Sequence, residues 1–177
     1  MSTRRFVKGS ASPAGDPAGQ ATVEPEFDAL FAEFGEQGPP VAIVVATREE
    51  REKMREAEQE LTSRGIQFNT HELSPHRNAA LLAKFAETAA MRGVRVIIAA
   101  AGLSAALPSI LAAYTDIPVI GVPFSDGPLS GLDTLLATAQ MPPGVPVACM
   151  SLDGTRNAAV FASHILNAIP LPPPSVE

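Results

Sequence analysis

From Val41 onward, apolar runs recur along the chain: Val41 to Ala46, Val94 to Ala101, Ile117 to Val122 and Val145 to Met150, with longer helical stretches between them. A fifth run, Ile66 to Leu73, is interrupted by Gln67, Asn69 and His71. Strands covered on both faces read as continuous apolar runs, whereas polar alternation marks a strand with one open side. The pattern predicts a parallel sheet of about five strands between two helical layers. This is a three-layer α/β/α sandwich of flavodoxin or Rossmann type, with the Ile66 strand at an edge. Gly65 and Gly93 each close a helical stretch just before a strand, where a left-handed cap is favoured.

The chain before Val41 reads differently. Residues 1–22 are rich in Ala, Gly, Pro and Ser with almost no large apolar side chain, and are expected to be a disordered tail. Within 23–40, Phe27, Leu30, Phe31 and Phe34 fall at i, i+3, i+4 and i+7. That spacing predicts a short amphipathic helix ended by Gly35 or Gly38, which docks on its own domain or on a neighbouring subunit. A protein partner recruited through residues 24–35 is the alternative. The α/β domain then occupies 41–170, and 171–177 is a Pro-rich tail.

Composition narrows the function classes. With 46% hydrophobic residues among 177, there is enough apolar side chain for one well-buried domain. The net charge of -6 without a Lys/Arg stripe argues against a nucleic-acid partner, whose binding draws on phosphate neutralisation. No apolar run reaches membrane-spanning length, and Arg4, Arg5 and Lys8 are not followed by the apolar core of a signal peptide. Cys149 is the only cysteine, so no intrachain disulfide can form and a reducing cytoplasm fits; it reads as a small buried hydrophobe. His71, His76 and His164 fall on separate elements, so neither a metal nor another cofactor is expected.

The chemistry-bearing segments sit where predicted strands end. Ser74-Pro75-His76-Arg77 places a hydroxyl, an imidazole and a guanidinium together, a proton carrier beside anion-binding groups in the crevice where open α/β sheets take their ligands. A polar turn capping the next helix would use the same residues. Thr47 and Glu50 have capping-box spacing after the first strand; the same geometry offers a phosphate donor and a ribose acceptor, although Glu49, Glu50 and Glu52 would repel a phosphate. The third strand runs into Gly102-Leu103-Ser104-Ala105-Ala106-Leu107-Pro108-Ser109, small residues that let a ligand or a helix approach the backbone.

These segments, with Pro118-Val119-Ile120-Gly121-Val122-Pro123, Ser130-Gly131-Leu132-Asp133 and Gln140-Met141-Pro142, resemble in order and spacing the PurE-like family. Its members are the class I carboxyaminoimidazole ribonucleotide mutases and aminoimidazole ribonucleotide carboxylases of purine synthesis, and the resemblance covers about 41–168. It implies that Thr47, Ser74 and Arg77 hold a phosphate, Glu50 binds ribose hydroxyls and His76 moves the proton during carboxyl transfer. Gly102, Leu103, Ala106 and Leu107 then form the wall toward the base and carboxyl group. A ribonucleotide and carbon dioxide are the implied partners. The resemblance also implies a homo-octamer, with the Ala-rich stretches Ala105 to Ala113 and Ala158 to Ala162 packing against symmetry mates and the Thr155 to Ile169 helix reaching over a neighbour.

Departures concentrate at one wall. Ala106 stands where the family has a second His, Ala100, Leu103 and Ser109 stand where it has glycines, and Phe124-Ser125-Asp126 replaces a more usual Val-Gln-Ser. The turn around Leu107-Pro108-Ser109 is also similar to related carboxylases acting on a pyridinium nucleotide, but those carry an extra N-terminal domain for which 40 residues are too few. Two readings follow: an enzyme performing carboxylation, decarboxylation or carboxyl migration on a nitrogen-heterocycle ribonucleotide, and a catalytically inactive nucleotide-binding or assembly paralogue. Retention of His76 favours the enzyme, since binding alone needs no proton carrier.

Overall fold

A computed structural model describes residues 38–102 and 105–168. The predicted helix at 27–34, both tails and Leu103 lie outside the described residues. In chain order the elements are β1 (Val41–Val45), α1 (Arg48–Lys53), α2 (Arg55–Ser63), β2 (Phe68–Glu72), α3 (Ala79–Thr88), β3 (Val96–Ala101), α4 (Ala106–Tyr114), β4 (Val119–Pro123), α5 (Leu132–Ala139), β5 (Ala148–Cys149) and α6 (Thr155–Ala168). All strand pairs are parallel and the sheet order is β2-β1-β3-β4-β5. The expected α/β/α architecture is present, and the polar-patterned strand lies at an edge.

Period-two alternation divides the core into two layers. Val41, Ile43 and Val45 of β1, with Val96, Ile98 and Ala100 of β3, face Ala57 and Leu61 of α2 and Ala158, Ala159 and Ala162 of α6. Their neighbours Ala42, Val44, Ile97, Ala99 and Ala101 face Leu82 and Phe85 of α3 and Leu107 and Leu111 of α4. Because central strands are buried on both faces, each of their positions must be apolar. Gly65 (φ 69°) and Gly93 (φ 89°) adopt the left-handed conformation expected of them.

Three expectations need correcting. The fifth strand pairs only over Ala148–Cys149, because Pro142, Pro143 and Pro146 have no N–H for a ladder and Val145 closes a turn to the Pro142 carbonyl. Ala158 and Ala162 are fully buried against their own sheet, so they are not a surface for packing on a symmetry mate. Cys149 is only partly buried, and that burial raises its thiol pKa.

The order β2-β1-β3 places a topological switch at β1/β3. The chain leaves β1 toward the α2 face and leaves β3 toward the α4 face, which opens a crevice between the two loops at the carboxyl ends of the strands.

Candidate functional site

The loop after β1 folds as an N-cap. Thr47 is extended (φ -141°, ψ 162°), its hydroxyl oxygen accepts the Glu50 N–H at 3.2 Å, and Glu50 Oε2 accepts from Ala46 N at 2.7 Å and Thr47 N at 3.2 Å. This reciprocal pair satisfies helix-end donors that would otherwise lack partners. Glu50 does more than cap: its Oε1 accepts the Gly102 N–H at 2.9 Å, bridging the two loops that flank the switch point. A carboxylate offers about four acceptor positions, and three are thereby occupied by backbone.

Glu49 sits at the same helix start. Its carboxyl group is held below the usual range chiefly by a hydrogen bond from its own backbone N–H and next by the Thr47 hydroxyl, with smaller contributions from Arg48 and Arg77. The Glu49 carboxylate thus draws on the polar groups at this helix start.

The second loop is organised by Ser74, which is buried. Its Oγ accepts long hydrogen bonds of 3.4 Å from both His76 N and Arg77 N, and its carbonyl accepts from Asn78 N at 2.9 Å ahead of α3. Both lone pairs of the hydroxyl face the turn, so its proton remains to donate. Arg77 then crosses to the neighbouring strand, donating from Nη2 to the Ala46 carbonyl at 2.7 Å. A guanidinium has five donors, so Arg77 is tied to the first loop while keeping capacity for an anion. His76 is exposed on the same turn.

The structure therefore brings Thr47, Glu50, Ser74, Arg77 and Gly102 to adjacent strand ends, with His76 on the turn between Ser74 and Arg77. Ala106 and Leu107 begin α4. Ala106 is partly exposed, whereas Leu107 as a whole is buried in the core and offers no surface to a ligand. Just before α4, Ala105 is left-handed (φ 44°), a conformation that costs an L-residue about 1 kcal/mol.

Two residues at this edge escaped the sequence reading as site members. Lys53 Nζ contacts both carboxylate oxygens of Asp126, at 2.5 and 2.6 Å, and lies 4.9 Å from the centre of the Phe124 ring. Asp126 is recognisable in sequence as a departure in the loop after β4, but its pairing with Lys53, 73 positions away, depends on the strand order. A polar groove of about 530 Å³ lies elsewhere, between α1, α2 and the end of β2; Arg48, Arg51 and Arg55 are matched there by Glu52, Glu58 and Glu72. Among the described residues, no three His, Cys, Asp or Glu side chains gather as a metal site, and no helix is long and apolar enough to cross a membrane.

A doubly wound sheet with polar loops converging at its switch point defines the class, that of open α/β proteins, whose ligand sites lie as a rule at the carboxyl edge of the strands. The family is settled by comparison: the AIR carboxylase family model matches residues 40–169. Among similar proteins is the N5-carboxyaminoimidazole ribonucleotide mutase of Pyrococcus abyssi (strain GE5 / Orsay), 45% identical over 129 residues that span 73% of this chain and 74% of the relative. Another is the enzyme of the same name from Bacillus subtilis (strain 168), 42% identical over 132 residues, 73% of this chain and 82% of the relative. The crystal structure of Treponema denticola PurE superposes with a TM-score of 0.66 at 22% identity, covering 72% of this chain and 80% of that one, a likeness of fold. The chain belongs to the AIR carboxylase family.

Proposed function

We propose that this protein catalyses carboxylation, decarboxylation or carboxyl migration on a nitrogen-heterocycle ribonucleotide, with the carboxyaminoimidazole ribonucleotide in its relatives' names as the first substrate to test. The observation that carries the reading is the clasp of Arg77 on Ala46, which sets the Ser74-His76-Arg77 turn against the Thr47–Glu50 loop. Thr47, Ser74 and Arg77 hold the phosphate, displacing Glu49, and Glu50 accepts from ribose. The family pattern assigns Gly102, Leu103, Ala106 and Leu107 to the base and carboxyl side.

His76 is the proton carrier. The nitrogen–carboxyl bond breaks to release carbon dioxide, the electron-rich ring carbon attacks it, and the new carbon–carbon bond forms. The ring carbon then loses a proton to His76, and the nitrogen left behind gains one, so migration is proton-neutral overall. Imidazole suits this transfer near neutral pH. The working assembly is a homo-octamer.

The test follows carboxyaminoimidazole ribonucleotide by NMR, monitoring carboxyl migration, carbon dioxide release and ring-proton exchange in heavy water. His76→Asn should retain folding and binding while turnover falls by roughly a hundredfold or more. Equal exchange in wild type and variant rejects His76 as the carrier; no exchange in either protein favours the inactive paralogue.

A further inference from the structure

Glu50 cannot bind a ribose cis-diol alone. Three of its acceptor positions are taken by Ala46, Thr47 and Gly102 N–H groups, and a cis-diol presents two donors. The missing acceptor lies across Gly102. A side chain at 102 would put its Cβ 3.3 Å from Glu50 Oε1 and 3.2 Å from Asp126 Oδ2, so both carboxylates pack against Gly102, and the missing side chain lets them lie this close together. Lys53 engages both Asp126 oxygens but uses one lone pair on each, and the Asp126 side chain is 45% exposed, so the carboxylate keeps capacity to accept from a ligand.

The loop carrying Asp126 is anchored before any ligand arrives. Phe124 N donates to the Ala101 carbonyl at 3.0 Å, and Ser125 N donates to Asp153 Oδ1 at 3.1 Å. Lys53 orients the carboxylate and offsets the repulsion between Asp126 and Glu50. Pre-placed acceptors lose little freedom on binding.

We propose that Asp126, oriented by Lys53, is a specificity-determining residue that accepts the ribose 2-hydroxyl while Glu50 accepts the 3-hydroxyl, so that the site reads the cis-diol across Gly102. This rests on the ribonucleotide reading above. It assigns a function to a loop that departs from the family pattern.

The experiment compares ribose 5-phosphate with 2-deoxyribose 5-phosphate by ligand-observed NMR titration, probes that need no base pocket. Wild type should prefer the ribose sugar about tenfold. Asp126→Ala should reduce that preference to about twofold, with 2-deoxyribose 5-phosphate affinity unchanged, and Lys53→Met should reduce it in the same direction. A preference unchanged in Asp126→Ala overturns the assignment. Arg77→Ala separates the two claims, because it should weaken both sugars alike. If it does and Asp126→Ala does not alter the preference, the phosphate site stands and the diol assignment falls. If Arg77→Ala changes neither affinity, or wild type binds neither sugar, the ribonucleotide reading falls and the diol assignment with it. The amide spectrum of each variant establishes that it is folded.

Discussion

His71 shows how one side chain's meaning depends on what covers it. Its place in the polar alternation of an edge strand suggests an outward-facing imidazole, yet it is 5% exposed, with its ring 5.0 Å from that of Phe85. Burial, seconded by the charge of Arg51, lowers its pKa to about 4, against about 6.5 in an unfolded chain. The unfolded state therefore binds more protons between these values. The stability held by neutral His71 is complete above about pH 6.5, is lost as pH falls toward 4 and amounts to roughly 3 kcal/mol. Urea midpoints should drop across that window in wild type and fall less in His71→Phe. Parallel profiles would assign the acid sensitivity to other groups. Thr47 and Glu50 were legible as a capping pair because that pattern is local, but the hydrogen bond from Gly102 to Glu50 joins residues 52 positions apart and has no local signature.

Elements were legible where burial is complete. β1 and β3 are central, so their apolar runs match their extents closely; β5 is at an edge and broken by prolines, so apolar residues outran the ladder. β4 has no room for a side chain at Gly121, at its seam with α5. A Cβ there would stand 2.5 Å from Thr138 Cγ2 of α5 and 2.9 Å from Val147 Cγ1. Gly121→Ala must push α5 and the β5 segment outward, a destabilisation of roughly 1–3 kcal/mol by chemical denaturation. Unchanged stability would mean that the seam is more yielding than its geometry indicates. Thr134 of α5 also donates to the Gly102 carbonyl at 3.4 Å, so the same seam supports the candidate site.

At the scale of the whole molecule, Leu129, Leu132 and Leu136 are 59%, 51% and 47% exposed in the single chain. Leu132 and Leu136 share one face of α5 at i, i+4 spacing, where burial against another copy would be favourable. With the buried alanines of α6 excluded, this stripe is our candidate contact of the proposed octamer. Light scattering at micromolar concentration should return about eight times 18.5 kDa, and Leu132→Asp with Leu136→Asp should lower the order of assembly. A monomeric or dimeric wild type would contradict the assignment. By itself the sequence determined the parallel sandwich, its edge strand, its local caps and the turn that carries His76, because each depends on periodicity or on neighbours within one turn. Only the tertiary structure decided that Glu50 braces Gly102, that Lys53 meets Asp126 beside it and that His71 is buried. Those relations follow from strand order and helix placement, which bring distant segments to one edge of the sheet.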